Sequence, residues 1–243
     1  MKKSIVLFAA ILCSVFSVNA QWWSNEKIKG NGNVTTELRT TGEYEKVLLV
    51  GSMDVDLVQG TEGQLKVEAE SNLQEYIVTE VENRVLKITV KKGVSISPSG
   101  NRDIKVTVPF RDLEGVSLTG SGDINGNDVI KAESFDTSLT GSGNINLNLD
   151  VRNLEGSITG SGDMDLKGSA DKFICNVTGS GDFNAADLKA IEVEAVVSGS
   201  GDIQVTAISE LKARVSGSGD ISYKGNPKKQ DFKTSGSGSV SSM

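Results

Sequence analysis

Apolar and polar residues alternate along most of the chain, and short glycine-rich segments interrupt the alternation at regular intervals. Phe173, Cys175 and Val177 lead into one such segment, and Met164 and Leu166 follow another. A period of two is typical of β-strands with one buried face and one face in water. Helical periodicity is scarce, and residues 185–190 would form one helical turn at most. The pattern therefore predicts an all-β protein.

The glycine-rich segments are copies of one motif, the tetrapeptide G-S-G-[D/N/S]. Seven copies begin at Gly120, Gly141, Gly160, Gly179, Gly199, Gly217 and Gly236, in steps of 21, 19, 19, 20, 18 and 19 residues. A regular period of about 20 residues indicates a solenoid in which each repeat forms one turn. We predict a single-stranded right-handed β-helix with a Gly-Ser-Gly-Asp repeat of about 19 residues.

Stacked turns of such a coil place equivalent residues in columns along its axis, about 4.8 Å apart. The buried column after the corner is predicted to be Ile124, Ile145, Met164, Phe183, Ile203 and Ile221. Corners of this kind need backbone with positive φ, which glycine adopts without a Cβ clash. We therefore assign a structural turn role to Gly120, Gly122, Gly141, Gly143, Gly160, Gly162, Gly179, Gly181, Gly199, Gly201, Gly217 and Gly219.

The N-terminal half alternates in the same way but lacks the tight corner. Residues 50–55 look like a degraded first copy in which Met53 replaces the second glycine. Turn signals such as Glu62-Gly63 separate the alternating runs. We predict longer, hairpin-bearing turns of the same sheet system, with a separate β subdomain as the alternative.

The first twenty residues read as a secretory signal. Lys2 and Lys3 precede an apolar run over residues 5–18, and the small residue Ala20 fits a cleavage site. The run is shorter than the roughly 20 residues that a membrane span needs. We predict a signal peptide at 1–20, an N-terminal extension at 21–33, the N-terminal β part of the solenoid at 34–118 and regular repeats at 119–243. The protein is then exported to the periplasm, outer surface or extracellular space, with no transmembrane segment after cleavage.

Charge and composition exclude several classes of function. The formal net charge is −7, and removing Lys2 and Lys3 makes it −9, which argues against nucleic acid as a partner. The chain has no histidine, so a Ser-His-Asp triad and most zinc sites are excluded. Cys175 is the one cysteine after cleavage, and its inward register indicates a buried, inert thiol. We predict no cofactor and no enzymatic activity.

One acidic or amide residue follows each corner, in the column Asp123, Asn144, Asp163, Asp182, Asp202 and Asp220. Carboxylates about 4.8 Å apart repel each other by roughly 1 kcal/mol per pair in water, so something must offset the repulsion. Corner N–H groups that donate to each carboxylate are the favoured explanation. A calcium ladder is the less favoured one, because calcium needs six to eight oxygen ligands.

Two pairs of carboxylates lie on one face of a strand, namely Asp54 with Asp56 and Asp163 with Asp165. Paired carboxylates are the machinery of glycosidases. No cleft-building insertion or aromatic platform accompanies them, so solvated outward residues are the favoured interpretation.

The two ends of an open solenoid carry unpaired strand edges that invite association. Lysines cluster near the C-terminal end at Lys224, Lys228, Lys229 and Lys233, a composition typical of a guarded edge. Edge-to-edge pairing with a second copy is the homo-oligomer that such edges would permit. Residues 235–243 form either a weak last turn or a frayed end.

The signal peptide, the strand Val55–Gly60 and the serial T-G-S-G-[D/N]-I copies resemble the putative autotransporter adhesin, head GIN domain family of secreted bacterial proteins. The resemblance covers nearly the whole mature chain. It implies β-helix-like turns, an extracytoplasmic setting and adhesion. No translocating barrel or anchoring signal is expected in this sequence, which leaves the periplasm open.

We therefore expect a non-enzymatic exported β-solenoid, an adhesin or ligand-binding module of the cell envelope. Its partner would be an unknown glycan or an envelope or surface protein. The alternative is a periplasmic scaffold that maintains the envelope. A polysaccharide-active enzyme is the least favoured hypothesis.

Overall fold

The computed structural model describes residues 26–100 and 102–243, and nearly all of them lie in strands. The strands are β1 (Glu26–Lys29), β2 (Val34–Thr40), β3 (Lys46–Gly51), β4 (Asp54–Gln59), β5 (Gln64–Glu70), β6 (Ile77–Glu82), β7 (Val85–Val90), β8 (Val94–Ser97), β9 (Lys105–Phe110), β10 (Gly115–Gly120), β11 (Asp123–Gly141), β12 (Asn144–Gly160), β13 (Asp163–Gly179), β14 (Phe183–Gly199), β15 (Ile203–Gly217), β16 (Ile221–Lys224), β17 (Lys229–Gly236) and β18 (Val240–Ser242). Within these ranges the one helical segment is a 3-10 helix, Gln74–Tyr76. Residues 185–190 lie inside β14 and form no helical turn.

The long strands β11 to β15 each make one turn of a coil. Each of them pairs in parallel with the next along almost its whole length. The coil has about seven turns with a repeat of about 19 residues. The predicted fold class, an all-β solenoid, is confirmed.

The predicted inward column is also confirmed. Ile124 stacks on Ile145, and the register continues through Met164, Phe183, Ile203 and Ile221, all of them buried. The column extends beyond the prediction to Val55 at one end and Val240 at the other. Because these contacts join different turns, no turn holds its apolar face out of water alone.

The N-terminal half pairs directly with the regular turns. Strand β3 lies between β10 and β7, and β4 lies between β11 and β9. Gly51 is in register with Gly120, and the carbonyl of Met53 lies under Gly122, so residues 50–55 are a first corner, as predicted. Antiparallel pairing of β6 with β7 supplies the expected hairpin. The division of the chain at residue 118 stays a prediction.

Both ends of the described chain are held by strand pairing. Strand β1 pairs with β8 in a small parallel sheet, and the buried Glu70 fastens this region by accepting hydrogen bonds from Gly32 and Ser99. At the other end, β17 and β18 pair with β15 and β16, so residues 235–243 belong to a last turn. The predicted signal peptide at 1–20 lies outside the described residues. None of the helices in the described ranges is long and apolar enough to span a membrane.

Candidate functional site

Seven turns pass through a Gly-Ser-Gly corner, and these corners stack in register on a first corner, Gly51-Ser52-Met53. The first glycine of one corner, Gly179, has a φ of 124°. The second, Gly181, has no positive φ of this kind, but a Cβ atom there would lie 2.0 Å from the carbonyl oxygen of Gly162. Positive φ, the reason predicted from the sequence, therefore accounts for the first glycine alone. The second is required because the main chains of neighbouring turns approach too closely for a side chain.

The main-chain polar groups of the corner are used between turns. The carbonyl oxygen of Gly160 accepts hydrogen bonds from the N–H groups of Ser180 and Gly181, at 2.8 and 3.1 Å. The same double acceptance recurs at Gly141, Gly179, Gly199 and Gly217. Main-chain hydrogen bonds between neighbouring turns thus hold the corners together, and the corner serine, which is exposed, supplies no side chain to these bonds.

Two columns of exposed hydroxyl groups run along these corners. The first comprises Thr119, Thr140, Thr159, Thr178, Ser198, Ser216 and Ser235, and the second Ser121, Ser142, Ser161, Ser180, Ser200, Ser218 and Ser237. Strand pairing holds the first column in unbroken register from Thr119 to Ser235. Neighbouring hydroxyl-bearing residues are about 4.8 Å apart along the axis. We call this surface the hydroxyl ridge.

The residue type at the ridge is restricted in a way that packing does not require. All fourteen positions of the seven Gly-Ser-Gly copies are exposed and carry Ser or Thr, whereas the first corner places Val50 in register with Thr119. The column two residues earlier on the same wall holds Ser138 and Ser157 but also Val196, Arg214 and Lys233. Exposed strand positions accept many residue types. The uniform hydroxyls therefore point to a role on the outside of the protein.

Variation in repeat length is absorbed away from the ridge. The register shifts lie between Gly126 and Val129, between Asp165 and Lys167, and at two places between 185 and 192. Where one turn has more residues than its neighbour, the strand pairing is irregular at these places, as it is at a β-bulge. The ridge keeps its spacing although the repeats have different lengths.

The predicted acidic column follows the ridge on the next wall. Asp163, Asp182 and Asp202 each accept a hydrogen bond from the main-chain N–H of the next column member, at 2.9, 2.9 and 2.8 Å. The donor belongs to the neighbouring turn, whereas the sequence suggested the carboxylate's own corner. Asp220 ends the series by accepting bonds from the N–H and hydroxyl of Ser239.

In the remaining pair of the column, the hydrogen-bond donor again belongs to the later turn and the acceptor to the earlier one. Asn144 donates both its main-chain N–H and its side-chain Nδ2 to Asp123, at 3.1 and 2.8 Å. Over residues 26–100 and 102–243, no three Asp, Glu or Cys side chains converge so as to hold a metal ion. The calcium ladder stays a hypothesis that chelation tests.

The two acidic pairs lie on an open wall. Burial raises the pKa of Asp54, although the N–H of Asp123 donates to this carboxylate. Asp165 accepts a hydrogen bond of 2.8 Å from Nδ2 of Asn184 and lies 3.6 Å from Nζ of Lys167. Asp163 and Asp165 line an open depression of about 310 Å³, where the neighbouring turn donates hydrogen bonds to both carboxylates.

Cys175 lies in the predicted inward register and is fully buried. Burial in apolar surroundings raises the pKa of its thiol, with a smaller contribution from Glu194. The thiolate that a nucleophile needs is therefore disfavoured.

Sequence reasoning found the glycines and the acidic column but missed the hydroxyl ridge. The signal was present in the motif itself, since Thr or Ser precedes each Gly-Ser-Gly copy. Without the register between turns, these residues read as ordinary polar strand positions.

The family model described as putative auto-transporter adhesin, head GIN domain, matches residues 43–227 of the chain. No curated protein matches this chain.

Several solved structures are similar to the chain. A putative adhesin from Bacteroides fragilis is 26% identical, with a TM-score of 0.84, and the alignment covers 89% of this chain and 100% of that one. A putative lipid binding protein from Parabacteroides distasonis is 31% identical, with a TM-score of 0.74 and coverage of 90% and 100%. A putative adhesin from Parabacteroides merdae is 24% identical, with a TM-score of 0.71 and coverage of 90% and 99%, a likeness that concerns the fold alone.

Proposed function

This chain belongs to the head GIN domain family of putative auto-transporter adhesins, and from that membership we propose that it is an exported, non-catalytic adhesin-like module that binds an extended ligand through the hydroxyl ridge. The ligand is a glycan or another repetitive polymer of the cell envelope or of a surface. The observation that carries the proposal is the restriction of fourteen exposed positions to Ser and Thr in one register.

The chemistry of the ridge suits a ligand that is itself rich in hydroxyl groups. A hydroxyl both donates and accepts hydrogen bonds, and it can rotate to meet either kind of partner. A single such bond adds about 1 kcal/mol, so useful affinity requires many of them. The sheet already fixes the position of each residue, which lowers the ordering cost of binding. A polymer that repeats along the axis would engage several turns at once.

Aromatic stacking contributes little to this binding mode. Four of the seven phenylalanines, Phe110, Phe135, Phe173 and Phe183, are buried in the core. Recognition would therefore rest on hydrogen bonds from a flat wall. Such a surface favours long or ordered ligands over a single sugar ring.

The available side chains support the proposed non-catalytic role. The sequence has no histidine to act as a general base. The carboxylates of the acidic column accept main-chain hydrogen bonds between turns, and the buried thiol of Cys175 is protonated. We propose that the protein holds its ligand and does not cleave it, which a reducing-end assay on the bound polysaccharide would check.

Location decides between adhesion and the periplasmic scaffold. Protease treatment of intact cells, with a known periplasmic protein as control, separates the two. If this protein is digested while the control survives, it lies on the surface, where adhesion takes place. Digestion only after the outer membrane is permeabilised would contradict the adhesin role and favour the scaffold.

Lipid binding is a second candidate, since one relative carries that description. The observation that favours it is the adjacent pair Ile191 and Ile208, which are 42% and 50% exposed. Apolar side chains of this kind are what a peripheral protein buries in a membrane. Sedimentation with phospholipid vesicles, with an Ile191→Ser/Ile208→Ser variant as control, tests it directly.

The binding proposal is tested by pull-down on insoluble polymers. Purified full-length protein is mixed with cellulose, chitin and bacterial cell-wall sacculi, and the bound fraction is measured at increasing salt. We expect saturable retention on at least one polymer and little dependence on salt, because neutral hydroxyls do the binding. Retention on none of them, or retention abolished by moderate salt, would overturn the proposal.

A further inference from the structure

A groove runs along the solenoid on the side opposite the hydroxyl ridge. Its floor is formed by the small or apolar residues Ala132, Val151 and Ala170, and the open space above this floor measures about 770 Å³. Val151 comes nine residues after the corner serine Ser142 and ten before the next, Ser161. The groove is therefore halfway round the coil from the ridge. We call it the corner groove, although it lies on the side of the coil away from the Gly-Ser-Gly corners.

Two successive turns of the corner groove carry charges of alternating sign on its two sides. The first bank is Lys131, Asp150, Ser169 and Lys189, and the second is Glu133, Arg152, Asp171 and Ile191. All eight side chains are exposed. Within one turn, Lys131 faces Glu133 and Asp150 faces Arg152, so the signs are opposite across the groove. Along each bank the sign reverses between these two turns, and the uncharged Ser169 and Ile191 stand in the two turns that follow.

Contacts within the chain engage only some of these charged side chains. Arg152 lies 3.3 Å from Glu133 of the preceding turn, and the Ser169 hydroxyl donates to Asp150 at 2.9 Å. The Arg152–Glu133 pair is about 70% exposed on both sides. Exposed pairs of this kind add little to stability. The pattern is therefore available to a partner.

We propose that the corner groove is the interface with a second copy of this chain, packed side by side about a two-fold axis parallel to the solenoid axis. This rotation brings each turn against the same turn of the partner and exchanges the banks. Lys131 then meets the partner's Glu133, and Asp150 meets the partner's Arg152. Each of these pairs occurs twice, as isologous symmetry requires.

The repeat distance and the charges together favour this occupant. The charges recur once per turn, about every 4.8 Å, whereas the side chains on one face of a single extended peptide recur about every 6.6 Å. Another solenoid keeps step with the groove over all of its turns. Antiparallel packing with its two-fold axis through the turn of Arg152 sets like charges opposite each other, for example Glu133 against the partner's Asp171. With the axis between the turns of Lys131 and Asp150, antiparallel packing would pair opposite charges, but each charge-reversed variant described below would then still dimerise alone.

Apolar surface at one end of the groove supports the same arrangement. Ile191 and Ile208 are exposed beside Lys189. In the parallel dimer the methylene chain of the partner's Lys189 covers Ile191 while its ammonium group stays in water. The contact spans five turns, about 24 Å, which places it at the small end of specific interfaces. We expect a dissociation constant on the order of 10 µM.

The dimer would give the proposed binding function a second ligand surface, a consequence that rests on that function. Because each groove lies opposite its ridge, the two ridges face in opposite directions. One ridge could hold the cell envelope while the other holds a second surface, and simultaneous attachment raises the effective affinity. The dimer itself is tested without any ligand.

Two charge-reversed variants test the interface. The first-bank variant is Lys131→Glu/Asp150→Lys, and the second-bank variant is Glu133→Lys/Arg152→Glu. A homodimer of either variant sets like charges opposite each other. A heterodimer with one copy of each variant restores every oppositely charged pair. Analytical ultracentrifugation of the full-length wild type from about 1 to 200 µM should show a monomer–dimer equilibrium. Each variant should raise the dissociation constant about tenfold or more, and an equimolar mixture should dimerise as the wild type does.

The melting temperature of each variant is measured as a control for misfolding. It should lie within a few degrees of that of the wild type. A wild type that stays monomeric up to 200 µM would overturn the proposal. So would a mixture that fails to recover the dimer, since recovery requires complementary banks. A monomer that instead binds phospholipid vesicles through Ile191 and Ile208 would assign the groove to a membrane.

Discussion

The carbonyl oxygen of Gly162 lies 2.0 Å from the point where a Cβ atom on Gly181 would stand. Corresponding pairs recur along the whole stack, as between Gly181 and Gly201 and between Gly201 and Gly219. Close main-chain approach between turns is thus a property of the coil, and the hydroxyl ridge depends on it. A side chain in the second glycine position would push two turns apart and tilt the ridge.

The first prediction concerns this contact. Gly181→Ala should lower the free energy of unfolding by roughly 3 kcal/mol or more, because the backbone on both sides must shift. Urea unfolding followed by circular dichroism measures the effect. Gly42→Ala is the matched control, since no atom lies within 4 Å of a Cβ there and its φ is not positive. That variant should change stability by less than about 1 kcal/mol. Equal effects at the two sites would contradict the packing argument.

The second prediction concerns the acidic column. Asp202 accepts the main-chain N–H of Asp220 at 2.8 Å. Asp202→Ala removes this acceptor and should cost about 1 kcal/mol, as loss of a helix cap does. Asp202→Asn keeps an oxygen acceptor and removes a charge from a column of like charges, so its stability should equal or exceed that of the wild type. Thermal unfolding of the three proteins decides the order, and an Asn variant as unstable as the Ala variant would show that the charge is needed.

The third prediction concerns calcium. Main-chain N–H groups already donate to Asp163, Asp182 and Asp202. A cation would have to compete with these hydrogen bonds and would still lack most of its ligands. The melting temperature should therefore be the same in excess EDTA and in millimolar calcium. A fall of several degrees in chelator, restored by calcium, would establish the ladder as a metal site.

The fourth prediction concerns pH and Glu70. The pKa of this carboxyl is lowered from 4.5, chiefly because the Ser99 hydroxyl donates to it, and the N–H groups of Ser99 and Gly32 add to the effect. A carboxyl with a lowered pKa in the folded state stabilises that state above the unfolded-state pKa. The contribution is lost as pH falls below 4.5 through the folded-state pKa.

Glu70→Gln should therefore be less stable than the wild type at pH 7, and the difference in melting temperature should shrink as pH falls from about 6 to 3. Glu68→Gln, on the same strand, controls for the loss of a charge. A difference that stays constant over this range would mean that the ionised carboxylate does not hold the N-terminal strands.

The repeating part of the fold was predictable because its causes are local. Alternation fixes which face of each strand is buried, and a fixed period brings Ile124, Ile145 and Met164 into one column. The N-terminal pairing was harder to predict. Gly115–Gly120 pairs with β3, about 70 residues earlier, and no motif spans that distance.

The candidate sites depended on register, which no single repeat reveals. Lys131 and Asp150, or Thr140 and Thr159, become neighbours only when turns are aligned. Bulges between Gly126 and Val129 and near 190 shift that alignment by amounts the sequence does not state. The hydroxyl ridge and the corner groove therefore emerged from the structure, whereas the glycines and the acidic column were visible in the motif.

The central claim is that the hydroxyl ridge binds the ligand, and a comparison of two triple variants tests it most directly. One carries Thr140→Lys, Thr159→Lys and Thr178→Lys on the ridge. The control carries Ser138→Lys, Ser157→Lys and Asn176→Lys in the adjacent column, where Arg214 and Lys233 already stand. Both variants add the same charge to the same wall.

The measurement is binding to whichever of cellulose, chitin or cell-wall sacculi retains the wild type. We predict that the ridge variant loses at least about tenfold in affinity, because lysine chains hold the polymer away from several hydroxyls at once. The control variant should bind within about twofold of the wild type. If the two variants bind equally well, or lose binding equally, the ridge is not the binding surface.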